Sequence, residues 1–316
     1  MEYQTTLSSN EPVAITIGNF DGVHRGHQRL MQELRNTAQE LGATPVLVTF
    51  SPHTLLVVRP DVQLQFLTTL DEKLALTDRY GKIEKSIVIP FNRDVADMSA
   101  TAFLDDLRQR FNLKAMVIGA NFSLGHNRKG NIAFLEQYGS EHGIKVVPIS
   151  LEEAEQSKIS STRIRTLVQE GQVAEANELL GHPLTFQGTV VHGDERGRQL
   201  GFPTANLIPD PHKLLPAYGV YAAYVHLQPT PGSDPGPDSP VYKGVVNVGV
   251  RPTFNGKTLL VEAYLLDTQL DLYGQVIGLD FIARLRGEER FSGIDALKAQ
   301  INTDVQQARQ ILQRGG

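Results

Sequence analysis

The spacing of hydrophobic residues changes character near Gly181-His182-Pro183, and that change constrains the fold more than any other feature. Before it, short apolar runs alternate with amphipathic stretches. After it, strand-like runs follow one another with only Gly, Pro and Asn as punctuation. Strands that alternate with helices form a parallel sheet with helices on both faces, because a parallel crossover needs a dozen or more residues. Strands in direct succession form antiparallel sandwiches or barrels. A chain of 316 residues is long for one core. Two domains are therefore expected, over residues 1–183 and 184–316.

In the first half, strands are expected at Val13 to Gly18, Val46 to Phe50, Ile87 to Phe91, Ala115 to Gly119 and Ile144 to Ile149. Leu30, Leu34, Ala38 and Leu41 recur at helical spacing from Gly26 to Leu41, and Gly42 ends that helix. Thr69 with Glu72 forms a capping box that opens a helix closed by Gly81. Ser99 caps a helix to Phe111, and Asn131 to Glu141 is helical. Thr162 to Glu170 and Val173 to Leu180 are helices with no strand between them, which fits the closing elements of a domain. In the second half, strands are expected at Thr185 to His192, Gly219 to Leu227, Val241 to Val250, Leu259 to Asp267 and Gln275 to Leu285. A long helix closes the chain from Ile294 to Leu312. Pro229 to Pro240 has no apolar anchor and is expected to be a disordered hairpin insertion.

Composition narrows the function. Cysteine is absent, which excludes disulfides, thiolate catalysis and cysteine-ligated zinc. The net charge is -5, without the basic excess of a nucleic-acid binder. No apolar run approaches the roughly 20 residues of a membrane span. Met1 to Glu11 lacks the basic start and apolar middle of a signal peptide. A cytoplasmic protein with small-molecule partners is expected, with neither nucleic acid nor membrane among them.

One constellation lies between the first strand and the first helix: Gly18-Asn19-Phe20-Asp21-Gly22-Val23-His24-Arg25-Gly26-His27. In an open parallel sheet, ligands bind at the carboxyl ends of the strands. Gly18, Gly22 and Gly26 let backbone N–H groups approach phosphates, and a helix N-terminus favours anions. His24 and His27, three residues apart, both reach a ligand from the first helical turn. Two imidazoles there can donate to the oxygens that gain charge during displacement at phosphorus. The competing reading is a solvated helix start with incidental histidines. Zinc is a weak third, since two histidines lack a further ligand nearby. A second segment, Ile159-Ser160-Ser161-Thr162-Arg163-Ile164-Arg165, sets hydroxyls and guanidinium groups at a helix start. Alone, it is better read as an ordinary cap with solvated arginines. Beside the histidine loop, the phosphate reading prevails.

GNFDGVHRGH, VTFSPH, GANFSLGHNRKG and ISSTRIR, in this order, resemble the adenylyltransferase module of prokaryotic bifunctional riboflavin kinase/FAD synthetases, within the H-x-G-H nucleotidyltransferase superfamily. The resemblance implies a Rossmann-like domain in which His24 and His27, with Gly18, Asn19, Phe20, Gly22 and Gly26 around them, contact ATP phosphates. It implies that Ser160, Ser161, Thr162, Arg163 and Arg165 complete the phosphate site, and that Asn121 and Phe122 contact nucleotide or flavin. Many members carry aspartate where Asn121 stands and proline where Thr54 stands.

A second constellation follows the first strand of the second half. Gly193 and Gly197 flank a charged turn that can close over a nucleotide, and Leu200-Gly201-Phe202-Pro203-Thr204-Ala205-Asn206 follows. In an extended segment Thr204 and Asn206 point to one side. Their neutral oxygens suit magnesium when phosphates supply the charge. From residue types alone an ordinary turn is the better reading. Glu262 falls on the side of Leu260, Tyr264 and Leu266 by period two. It reads either as part of an exposed strand face or as a general base for a substrate hydroxyl. Asn255-Gly256-Lys257-Thr258 mimics the end of a phosphate-binding P-loop, but Arg251 replaces the required glycine and a strand follows instead of a helix.

LGFPTAN is similar to the signature of riboflavin kinases. The resemblance implies a six-stranded antiparallel β-barrel with a C-terminal helix, magnesium held by Thr204 and Asn206, Gly193, Gly197 and Gly201 at the ATP, and Glu262 as base. It places the flavin near Arg286, Glu288 and Phe291. Most members carry histidine where Tyr264 stands. Tyr218 to Tyr221, Asn247 to Phe254 and Asp271 to Gly274 extend the likeness. The implied function is ATP-dependent phosphorylation of riboflavin to FMN and adenylylation of FMN to FAD, with ATP, riboflavin and FMN as substrates. Three rivals remain at this stage: a single live site, a non-catalytic flavin sensor, and an adenylyltransferase for another phosphorylated molecule.

Overall fold

The computed structural model describes residues 7–8, 10–150, 159–193, 197, 200–228, 240–253, 256–268 and 270–313. The expected insertion at Pro229 to Pro240, apart from Pro240, lies outside them, as do most of the charged turn after Gly193 and the first six residues. The chain divides into two compact units. One comprises Met1–Leu64 and Leu76–Ser160, the other Gln65–Ala75 and Ser161–Gly316.

The first unit is built on five parallel strands: β1 (Pro12–Ile17), β2 (Thr44–Ser51), β3 (Lys85–Pro90), β4 (Asn112–Gly119) and β5 (Lys145–Ile149), in the order β3-β2-β1-β4-β5. All five expected strands are present, each within a few residues of its predicted bounds. Val13, Ile15, Val46, Val48, Ile87 and Met116 are fully or nearly fully buried, as strands covered on both faces require. Helix α1 (Arg25–Leu41) buries Leu30, Met31, Leu34 and Ala38, and Gly42 caps it in the left-handed conformation. Leu41, expected on the apolar stripe, is exposed instead, because the helix stops there. Two short helices, α2 (Thr54–Val58) and α4 (Arg93–Asp97), have too few turns to show a period and escape sequence reading. Helices α5 (Ala100–Arg110) and α6 (Ile132–His142) are capped by the side chains of Ser99 and Asn131.

The Thr69 box opens helix α3 (Leu70–Gly81) as expected. The Thr69 N–H donates to Glu72 Oε2 at 2.9 Å and the Glu72 N–H to Thr69 Oγ1 at 3.3 Å. Its first turn, however, belongs to the second unit. There Lys213 Nζ contacts the same Glu72 oxygen at 2.5 Å and the Leu67 carbonyl at 2.6 Å. Both side chains are 2% exposed.

The rest of the second unit comprises helices α7 (Ser161–Gln169) and α8 (Val173–Leu180), a closed barrel and a terminal helix α9 (Ile294–Gln313). The barrel strands are β6 (Leu184–Val191), β7 (Ala205–Leu207), β8 (Gly219–Gln228), β9 (Val241–Thr253), β10 (Gly256–Leu265) and β11 (Val276–Arg286). They close in the order β10-β7-β6-β11-β8-β9, with antiparallel pairs throughout. Five of the six were expected from sequence; the three-residue β7 is too short to show alternation. Tyr221, Ala223 and Val225 of β8 are fully buried. Val220 and Ala222, which alternate with them, pack with Val305, Ala308 and Leu312 of α9. The period-two pattern thus serves two cores, one on each side of the strand.

Lys213→Ala is expected to cost about 3–5 kcal/mol in urea denaturation, because Glu72 stays buried without its cation. Lys213→Met combined with Glu72→Leu should lose less, leaving mainly the capping term of about 1 kcal/mol. Equal losses in the single and double variants would show that the ion pair is not the source.

Candidate active sites

In the first unit the strand order reverses at β1, which lies between β2 and β4. Ligand crevices in such sheets open at this point, outside the carboxyl ends of the strands. The loop after β1 carries Gly18 to His24, and the loop after β4 carries Asn121 and Phe122, so the topology brings the two segments to one edge. Asn121 is exposed, and Phe122 packs against the core of this unit.

The β1 loop is tightly wound. Phe20 (φ 49°), Gly22 (φ 81°) and Val23 (φ 40°) all take positive φ. For a β-branched residue such as Val23 this is strained, and such strain concentrates at functional sites. Burial holds it in place, with Phe20 and Val23 at most 3% exposed. Asn19 pins the loop to the one after β2. Its Nδ2 donates to Thr54 Oγ1 at 2.9 Å, and its Oδ1 accepts from the Thr54 N–H at 3.3 Å.

His24 is the N-cap of α1, where its Nδ1 accepts from the His27 N–H at 3.4 Å. In the neutral ring the proton then sits on Nε2, a donor. Gly26 is buried in the first turn. The His24 and His27 rings stack 3.6 Å apart, and Phe20 packs edge-on to His27 at 5.2 Å. The pair forms one imidazole platform at the N-terminus of a 17-residue helix, a location that favours anions.

Ser160 precedes α7, and Ser161, Thr162, Arg163 and Arg165 lie within it. Inside the second unit, Arg163 pairs with Glu175 at 3.0 Å and Arg165 Nε donates to the Gln65 carbonyl at 3.2 Å.

The second unit holds a cavity of about 820 Å³ lined by residues of the barrel, α9 and the segment between β11 and α9. Gly197, Thr204, Asn206, Glu262, Arg286, Glu288 and Phe291, all expected at the kinase site, line it together. Glu262 stands on β10 directly opposite Asn206 of β7 on one side and Asn247 of β9 on the other. Directly paired residues share a face of the sheet. Asn247 Nδ2 donates to Glu262 Oε2 at 3.2 Å. Asn206 is buried, and its Nδ2 donates to the Thr204 carbonyl at 3.4 Å. A Cβ at Gly193 would stand 2.5–2.7 Å from the three amide atoms of Asn206 and would force that amide to move. The loop therefore lies directly on this amide. Gly201 takes φ 90° at the turn before Phe202, and Phe202 packs edge-on to Tyr264 at 5.5 Å.

Arg286 lines the cavity but is tied to the protein. Its Nε and Nη2 contact Asp304 of α9 at 2.9–3.1 Å, and its guanidinium lies 5.5 Å from the Phe291 ring centre. Asp304 is 1% exposed. The ion pair fixes α9 against β11 and forms part of the cavity wall. Asn247 and Asp304 were not singled out in sequence. Asn247 was visible only as part of a family-like stretch, and Asp304 as a polar residue on an amphipathic helix.

The family model for FAD synthetase matches residues 6–163, and that for riboflavin kinase matches residues 180–312. A bifunctional riboflavin kinase/FMN adenylyltransferase of Escherichia coli K12 is 37% identical over 309 residues, covering 98% of this chain and 95% of its own. The chain belongs to the bifunctional riboflavin kinase/FMN adenylyltransferase family. The Bacillus subtilis member is 35% identical over 299 residues, covering 93% of this chain and 90% of its own. A solved structure described as a macrolide-efflux protein from Streptococcus pneumoniae is 30% identical with a TM-score of 0.82, covering 95% of this chain and 94% of its own. Among the described residues of this family member, no helix is long and apolar enough to cross a membrane.

Gly193→Ala is expected to displace the Asn206 amide and lower riboflavin phosphorylation by roughly tenfold or more, the scale of a misplaced active-site group. FAD formation from supplied FMN should keep its rate. Chromatography of both products checks this, and an unimpaired kinase would show that the loop does not need to lie so close.

Proposed function

We propose that this chain makes FMN from riboflavin and FAD from FMN, using ATP in both steps, at two separate sites. The observation that carries the proposal is the row Asn206–Glu262–Asn247 across three paired strands, set in a cavity of about 820 Å³. That volume lies in the range of small-molecule sites. Residues 1–183 are assigned to the adenylyltransferase and residues 184–316 to the kinase, although helices α7 and α8 cluster with the barrel unit. The partners are small molecules, neither nucleic acid nor membrane, and the location is the cytoplasm.

At the kinase site, the terminal ribityl hydroxyl of riboflavin attacks the γ-phosphorus of ATP. The new O–P bond forms as the β,γ-bridging bond breaks, and ADP leaves. Glu262 takes the hydroxyl proton. Thr204 and Asn206 would hold magnesium. Their hydroxyl and amide oxygens are hard neutral donors, and the loop packed on Asn206 keeps that amide in place. When bound, the ion would neutralise charge on the phosphates. Gly193, Gly197 and Gly201 shape the loop over the nucleotide. The flavin lies against Phe291 and Glu288, with Arg286 braced by Asp304.

At the other site, a phosphate oxygen of FMN attacks the α-phosphorus of ATP and pyrophosphate leaves. His24 and His27 donate to the oxygens that gain charge, and the N-terminus of α1 adds its field. Gly18, Asn19, Phe20, Gly22 and Gly26 hold the loop that places them. Ser160 binds a further phosphate oxygen, and Asn121 and Phe122 contact nucleotide or flavin.

Incubation with riboflavin, ATP and magnesium, followed by chromatography, separates the two reactions. His27→Ala is expected to lower FAD formation about 10²–10³-fold while FMN accumulates. Glu262→Ala is expected to lower FMN formation about 10²–10⁴-fold while supplied FMN still becomes FAD. Loss of both steps by either substitution in folded protein would defeat the two-site assignment. FMN as the sole product of the parent chain would leave only the kinase.

A further inference from the structure

We infer that Asn247 is a positioning residue that holds the Glu262 carboxylate toward the hydroxyl to be phosphorylated, an inference that rests on the kinase reading above. Asn247 Nδ2 donates to Glu262 Oε2 at 3.2 Å. The contact is set by the backbone, because the two residues are direct partners in the β9–β10 register. Neither side chain has to reach across the cavity to make it.

A general base must keep one oxygen within hydrogen-bond reach of the proton it takes. A carboxylate on a two-carbon arm has rotational freedom that defeats this. Engaging Oε2 fixes the plane of the group and leaves Oε1 as the oxygen for the substrate hydroxyl. The donor also has to be neutral. A second carboxylate, Glu288, lies close by: its Oε1 would stand 2.7 Å, and Asn247 Nδ2 3.8 Å, from a Cβ built on Gly249. Glu289 and Asp304 also line the cavity, with Arg286 and Arg290 as its cations. Arg286 is already committed to Asp304. A carboxylate at position 247 would repel Glu262, and a cation would compete with the substrate hydroxyl for it. An amide orients it and does neither.

The test uses full-length chains assayed for both reactions. Asn247→Leu and Asn247→Asp are each expected to lower kcat for riboflavin phosphorylation about 10- to 100-fold, the worth of one hydrogen bond to a charged group. KM for riboflavin should stay within about threefold, since the interaction matters in the transition state and not for ground-state binding. FAD formation from supplied FMN should keep the parent rate. Asn247→Gln, which keeps the amide on a longer arm, should recover part of the loss. In a Glu262→Gln background, Asn247→Leu should cost less than about threefold more, because groups that act as a unit are not additive.

A full multiplicative loss in that background overturns the inference, as does a leucine variant in which kcat holds or KM rises in step with its fall. If Glu262→Gln itself keeps parental kcat, the kinase reading fails and takes this inference with it. If Glu262→Gln collapses kcat and Asn247→Leu does not, the positioning role alone fails. Should the leucine variant also lose FAD formation, the aspartate variant, which keeps the shape of asparagine, decides by the same criteria.

Discussion

Three residues, Ala205–Leu207, complete the barrel of the second unit, and the polar row in its cavity depends on their hydrogen bonds. Leu207 pairs with Val190 of β6 on one side and Val261 of β10 on the other. This pins the register of β7, and a one-residue slip would turn every side chain to the opposite face. In the observed register Asn206 stands opposite Glu262, and the β9 pairing sets Asn247 on the far side. Gly193, which follows β6, lies against the Asn206 amide. A strand too short to announce itself in sequence thus fixes where Asn206 stands relative to Glu262. Buried Leu207 is its anchor.

The first unit reaches its arrangement by topology. A central β1, with β2 and β4 on either side, places the loops after β1, β2 and β4 at one end of the sheet. Asn19 and Thr54 join two of these loops directly. The positive φ angles at Phe20 and Val23 persist because both residues are packed into the core, so the cost of the strain is offset by burial. What the strain produces is a sharp entry into α1, with His24 as cap and His27 stacked on it.

Much of the fold was legible in the sequence. Long elements with a clear period, such as α1 and α9, were found within a few residues, because each buries a regular face; β1 was found as a short apolar run. The cap at Ser99 and the Thr69–Glu72 box were legible because they involve residues three apart, whereas Asn131 was read only as the first residue of its helix and is its N-cap. Thr54–Val58, Arg93–Asp97 and Ala205–Leu207 were not, since a period cannot be read over so few residues. Glu72 shows the boundary within one side chain. Its capping bond is local and was visible; its ion pair with Lys213 spans 141 positions and was not. Nor was it visible that the segment 65–75 belongs with the barrel unit.

The sequence by itself determined which groups are available for chemistry. Glycines, two histidines, a Thr-x-Asn pair and a carboxylate on a strand are short-range patterns, and their residue types limit the reactions they can serve. Only the tertiary structure decided which of them meet. Strand register set Glu262 between Asn206 and Asn247, and helix packing committed Arg286 to Asp304 as a brace in the cavity wall. Contacts between distant residues arise from backbone pairing and core packing, which depend on the whole chain, so no local window of residues contains them.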